Sequence, residues 1–132
     1  MRIVLIDDDE QVRAVLTRAL EREGHAVLAL SDAVRLTATL DRFEADVVFT
    51  DVYMPEVDGF QALRVVRSER PHIPVVVISG GTGPADNCLS IATMLGAAAI
   101  LHKPVTIAAL LETLRSVAAP AAARADRTDS LA

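Results

Sequence analysis

Five short runs of aliphatic and β-branched residues recur along the chain, near positions 2–6, 26–30, 46–50, 74–78 and 97–101. Runs of this length, bounded by polar or turn residues, are the pattern of strands buried on both faces of a parallel sheet. Between them the apolar positions return at helical spacing. Val12, Val15, Leu16, Ala19 and Leu20 share one face of a helix predicted over 10–23, and Gly24 follows as its stop signal. Further helices are predicted over 32–42, over 59–69 ending before Pro71, from Pro84 to about Leu95, and over 105–118. Alternating strands and helices without an internal repeat predict an α/β fold, a doubly wound five-stranded parallel sheet.

The polar residues that end these runs carry the chemistry. The first run stops at Asp7-Asp8-Asp9-Glu10, the third at Asp51, the fourth at Ser79-Gly80-Gly81 and the fifth just before Lys103-Pro104. Ligands of open α/β sheets bind in the crevice beyond the carboxyl ends of the strands, so Asp7, Asp8, Asp51, Ser79 and Lys103 are expected to converge there. Three crowded carboxylates repel one another unless a hard divalent cation sits among them. Magnesium suits such a site, because it takes one or two carboxylates and leaves positions for water and phosphate oxygens. Of the thirteen Lys and Arg residues only Lys103 is lysine. Its ammonium is a compact point charge that a planar guanidinium cannot replace in a narrow pocket. A carboxylate nucleophile, a magnesium ion, a lysine and a hydroxyl form a sufficient set for phosphoryl transfer.

Plainer roles exist for some of these residues. Asp9 and Glu10 suit a solvated helix N-terminus, where acids are favoured by the dipole. Ser79 could satisfy backbone groups of its own loop. An EF-hand loop is excluded, since counting from Asp7 the sixth and twelfth positions are Val12 and Arg18, where glycine and glutamate are required. His25, His72 and His102 show no ligand spacing and are expected at the surface, with His102 pointing away from the Lys103 pocket.

The set of motifs resembles the receiver domain of bacterial two-component response regulators. It is carried by Asp7-Asp8, by Asp51-Val52-Tyr53-Met54-Pro55 with Asp58-Gly59 behind it, by Ser79 and by Lys103-Pro104, in the family's order and approximate spacing. The resemblance implies a flavodoxin-like (βα)5 fold in which Asp51 is the phosphoacceptor, assisted by Ser79 and Lys103. Mg2+ would be held by Asp8, the Asp51 carboxylate and the Tyr53 carbonyl, with Asp7 acting partly through water. It also implies a cis Lys103-Pro104 peptide bond, and a sensor histidine kinase or histidine phosphotransfer protein as phosphodonor. The implied output surface spans the fourth predicted helix, the fifth strand and the fifth helix, with homodimerisation through that face left open. Such a chain is a switch that assists its own phosphorylation and autodephosphorylation, not a turnover enzyme.

Three departures from the family pattern bear on the switch. Ile100 stands where many receivers carry an aromatic residue, Tyr53 is bulky for its position, and 80–84 is glycine-rich and slightly long. Switching is therefore expected in the Gly80–Pro84 loop rather than at position 100. Two alternatives remain: a small haloacid-dehalogenase-like phosphatase, which lacks its late acidic pair here, and a pseudo-receiver that binds partners without phosphorylation.

Size and charge narrow the setting. A chain of 132 residues is one domain, expected over 1–118, with a flexible tail or the start of a linker at 119–132, where the composition shifts to Ala, Arg, Asp and Ser. The hydrophobic fraction of 52% excludes disorder. A net charge of −5 with scattered arginines argues against nucleic-acid binding. The single Cys88 permits no internal disulfide, which suits a cytoplasmic setting, and no apolar run is long enough for a bilayer span.

Overall fold

A computed structural model describes residues 1–51, 60–79, 93 and 95–117. The elements are β1 (Arg2–Ile6), α1 (Glu10–Arg22), β2 (Ala26–Leu30), α2 (Leu36–Arg42), β3 (Val47–Asp51), α3 (Gln61–Glu69), β4 (Val75–Ser79) and β5 (Ala99–His102). A last helix covers 107–117. The five strands form one sheet in the order β2-β1-β3-β4-β5, and every pairing is parallel. The predicted doubly wound sheet is present.

Period-two alternation along the strands divides the core into two layers. Val4, Ile6, Val48, Val75 and Val77 face α2 and α3, where Leu36, Leu40, Leu63 and Val66 cover them. Their neighbours Ile3, Leu5, Phe49, Val76 and Ile78 face α1 and the last helix, packing on Leu16, Leu20, Leu110 and Leu114. This explains why the strand sequences are apolar at consecutive positions: each residue meets a helix on one face or the other. The chain leaves β1 for the edge strand β2 and then returns past β1 to β3. That reversal opens a crevice beyond β1 and β3, into which the residues after Ile6 and at Asp51 are delivered.

Several boundaries differ from expectation for local reasons. The helix predicted over 32–42 starts only at Leu36, because the Asp32 side chain accepts the Val34 N–H at 2.9 Å and holds the preceding residues in a turn. Strand β5 starts at Ala99, two residues late, after Gly96 turns the chain with φ +92. The last helix begins at 107 rather than 105, where the Thr106 hydroxyl accepts the Ala109 N–H at 3.1 Å as its cap. Val15, expected on the buried face of α1, is 58% exposed. It sits on the rim of a groove opposite Pro104 and Val105 instead of over the sheet. His25 is half-buried rather than superficial, its Nδ1 3.0 Å from the N-terminal ammonium. His72 and His102 are exposed as expected.

Most of the helix predicted from Pro84 to about Leu95, the Gly80–Pro84 loop, Cys88 and the 119–132 tail lie outside the described residues. So does the Tyr53 to Gly59 segment. Ile100 is partly buried against the α2–α3 layer. The Lys103-Pro104 peptide is cis. No described helix is long and apolar enough to cross a membrane.

Candidate functional site: an acidic pocket at the carboxyl end of the sheet

Asp7 follows directly on β1 and is fully buried, while Asp51 ends β3 with 1% exposure. Ile6 pairs with Thr50 in the register, so the next residue of each strand, Asp7 and Asp51, face the same crevice. Asp8 is exposed at its mouth. Carboxylate oxygens of Asp7, Asp8 and Asp51 all lie within 4.8 Å of one another.

Lys103 comes to them from the far side. Ser79 pairs with His102, and the Lys103 N–H donates to the Ser79 carbonyl at 2.9 Å, which fixes the start of the lysine side chain. Its Nζ donates to Asp51 Oδ2 at 2.8 Å and lies 3.6 Å from Asp7 Oδ2. Ser79 itself is 4% exposed at the end of β4. The structure thus brings together five of the six residues singled out from the sequence, and Tyr53 lies outside the described residues.

The electrostatics follow from this packing. Burial pushes the Asp7 carboxyl above its ordinary value; the Asp9 amide and Lys103 work against that, and the neighbouring Asp51 and Asp8 charges add to it. Burial pulls the Lys103 ammonium down, but the hydrogen bond and charge of Asp51, with help from Asp7, outweigh it and the pKa is raised. Two buried carboxylates therefore face one ammonium, and negative charge is in excess.

The β1–α1 turn holds Asp7 by nearly every polar atom it has. Its N–H donates to the Leu30 carbonyl at 3.1 Å, and its Oδ1 accepts the Asp9 N–H at 2.9 Å. Its carbonyl accepts Arg13 Nη1 at 2.7 Å. Asp9 meanwhile caps α1, accepting from the Gln11 and Val12 amides, as expected for a helix N-terminus. Asp7 Oδ2 is left, buried and making no hydrogen bond among the described residues, with the Lys103 ammonium 3.6 Å away. A buried carboxylate oxygen that makes no hydrogen bond and lies at ion-pair distance from one ammonium, beside two further carboxylates, fits a divalent cation with oxygen preference.

Arg13 was not singled out from the sequence. A signal for it existed: a cation at the end of a helix's first turn runs against the macrodipole, so its side chain needs another reason to be there. An apolar groove of about 620 Å³ adjoins the pocket, lined by Gln11, Val12, Val15, Leu16, Pro104 and Val105, with Lys103 shared between the two.

The molecule is thus a parallel doubly wound sheet that gathers buried acids and a lysine at its carboxyl end, where ligands of such sheets bind. The chain belongs to the response regulator receiver domain family, whose sequence profile matches residues 3–115. It is 36% identical over 122 residues to the sensory/regulatory protein RpfC of Xanthomonas campestris pv. campestris, covering 89% of this chain and 16% of that protein. It is 31% identical to the transcriptional regulatory protein TcrA of Mycobacterium tuberculosis, over 89% of this chain and 46% of that one. The chain therefore spans less than half the length of either relative. Among solved structures, a response regulator receiver domain protein from Clostridium thermocellum matches with a TM-score of 0.80 and 29% identity, covering 99% of this chain and 98% of the other.

The family are phosphorylation-controlled switches rather than enzymes of the usual turnover kind, and they work with sensor histidine kinases. Neither the phosphatase nor the pseudo-receiver alternative is favoured by these matches.

Proposed function

We propose that Asp51 accepts a phosphoryl group from a phosphohistidine on a sensor kinase or histidine phosphotransfer protein. The observation that carries this reading is the contact of Lys103 Nζ with Asp51 Oδ2 at 2.8 Å, beside an Asp7 Oδ2 that makes no hydrogen bond among the described residues. An Asp51 oxygen attacks phosphorus in line, the P–N bond breaks, and its electron pair returns to the imidazole. Lys103, already on the carboxylate, stays within reach of a phosphoryl oxygen, and the Ser79 hydroxyl takes another. The Mg2+ reading assigns Asp7, Asp8, Asp51 and the Tyr53 carbonyl as its holders, and the ion when bound neutralises charge on the phosphoryl oxygens. The same residues would later admit water to the acyl phosphate, giving autodephosphorylation.

The groove beside Lys103 offers a donor protein an apolar surface next to the acceptor. A switch through the region from 80 to the last helix follows, with homodimerisation as one output. Leu110 and Leu114 are core residues and cannot contribute to such a surface. The reading includes a receiver unit over 1–118 with a tail or linker beyond it, a cytoplasmic setting, and no DNA contact through this chain. The net charge of −5 supports the last point.

Intact-mass measurement after incubation with Mg2+ and a small phosphodonor tests the core of it. One added phosphoryl group on the wild type and none on Asp51→Asn is expected. Labelling that persists in the substituted protein would overturn the acceptor assignment.

A further inference from the structure

We infer that Arg13 is a positioning residue for the cation site, tying the first turn of α1 to the Asp7 carbonyl so that Asp7 presents a single free oxygen to the pocket. The inference rests on the magnesium reading above. Its basis is the distribution of hydrogen bonds around Asp7. The N–H goes to Leu30, Oδ1 takes the Asp9 N–H, and the carbonyl takes Arg13 Nη1 across six residues at 2.7 Å, a charge-assisted bond. These fix the backbone on both sides of the Asp7 Cα and one oxygen of the carboxylate. Oδ2 then has no freedom to turn away, and among the described residues it is a buried oxygen that makes no hydrogen bond, 3.6 Å from the Lys103 ammonium.

Without Arg13, the Asp7–Asp8 peptide would lose its only side-chain tether among the described contacts. Asp8 is exposed and Asp9 is committed to capping α1, so neither can replace it. The peptide could then rotate, carrying both the Asp7 and Asp8 carboxylates away from Asp51. Hydrogen-bonded partners behind metal ligands typically govern about 10- to 100-fold in metal affinity. Arg13 is half-buried and holds a main-chain atom, so the lower end applies.

A competing effect has the opposite sign. The guanidinium charge stands near a cation site, and by repulsion alone its removal should tighten binding. The sign for Arg13→Ala therefore decides the matter. Mg2+ affinity is measured by calorimetric titration on the wild type, Arg13→Ala and Arg13→Lys, with the helical circular dichroism checked for each. Amide exchange at Asp9 is followed in metal-free buffer. Positioning predicts about tenfold weaker Mg2+ binding and faster Asp9 exchange in Arg13→Ala. Arg13→Lys, which retains reach and a donor, should recover most of both. Equal or tighter binding by Arg13→Ala overturns the inference while leaving the magnesium reading intact. Absence of Mg2+ binding by the wild type overturns that reading and this inference with it.

Discussion

The two ends of the sheet treat charge in opposite ways. At the amino end, Arg2 donates its N–H to Asp46 Oδ2 at 2.7 Å and its Nε to the Glu44 carbonyl at 3.1 Å, all at the surface. Its guanidinium lies 4.2 Å from the centre of the Phe43 ring. Each group there has a partner and access to water. At the carboxyl end, Asp7 and Asp51 are buried and share one lysine, which hydrogen-bonds Asp51 but only reaches 3.6 Å from Asp7 Oδ2, an oxygen with no hydrogen bond among the described residues. A buried polar atom that makes no hydrogen bond costs about 1–3 kcal/mol. The carboxyl end thus carries an electrostatic cost that the amino end does not, and a bound cation would relieve it.

Removing the lysine should break this contrast most severely. Lys103→Ala leaves two buried carboxylates facing each other, and urea unfolding in metal-free buffer should show a loss of about 3 kcal/mol. Adding Asp51→Asn to that variant should restore most of it; failure to do so would mean the lysine acts through packing and not charge. Lys103→Arg should keep the charge yet leave phosphorylation-dependent change impaired nearly as much as alanine does, because a planar fork does not fit a pocket sized for an ammonium. Full switching by the arginine variant would contradict that.

Asp7→Asn moves stability the other way. It removes one of two repelling buried charges, so metal-free protein should gain about 1 kcal/mol while Mg2+ binding is lost. At the amino end Arg2→Ala should cost only about 1 kcal/mol, since it removes an exposed hydrogen bond to the Glu44 carbonyl and a ring contact while the main-chain N–H to Asp46 remains.

The smallest effect is titration of His25. Burial first, then the neighbouring N-terminal ammonium, lowers its pKa from the ordinary 6.5. Below that value the unfolded chain binds the proton more readily, so this contribution is present above 6.5 and is lost as pH falls beneath it. His25→Gln should remove that component from the stability profile between pH 6.5 and the acid limb.

The strands and their polar ends could be read from the sequence because a doubly covered sheet demands consecutive apolar residues, and the first polar residue then marks the crevice. Asp7 and Ser79 follow that rule directly, while Asp51 and Lys103 lie one residue further on, behind Thr50 and His102. What escaped was set by side chains acting across turns. Asp32 delays the start of α2 by bonding Val34, Arg13 reaches back to Asp7, and His25 is drawn inward toward Met1. Val15 matches the helical period, but the period cannot say that a groove rather than the sheet lies opposite it.

The acceptor assignment is tested most directly by mapping the acyl phosphate. Borohydride reduces an aspartyl phosphate to homoserine, which remains in the chain and is located by peptide sequencing after treatment with Mg2+ and a small phosphodonor. The account predicts homoserine at position 51 alone. Homoserine at position 7 or 8, with Asp51 intact, would contradict it.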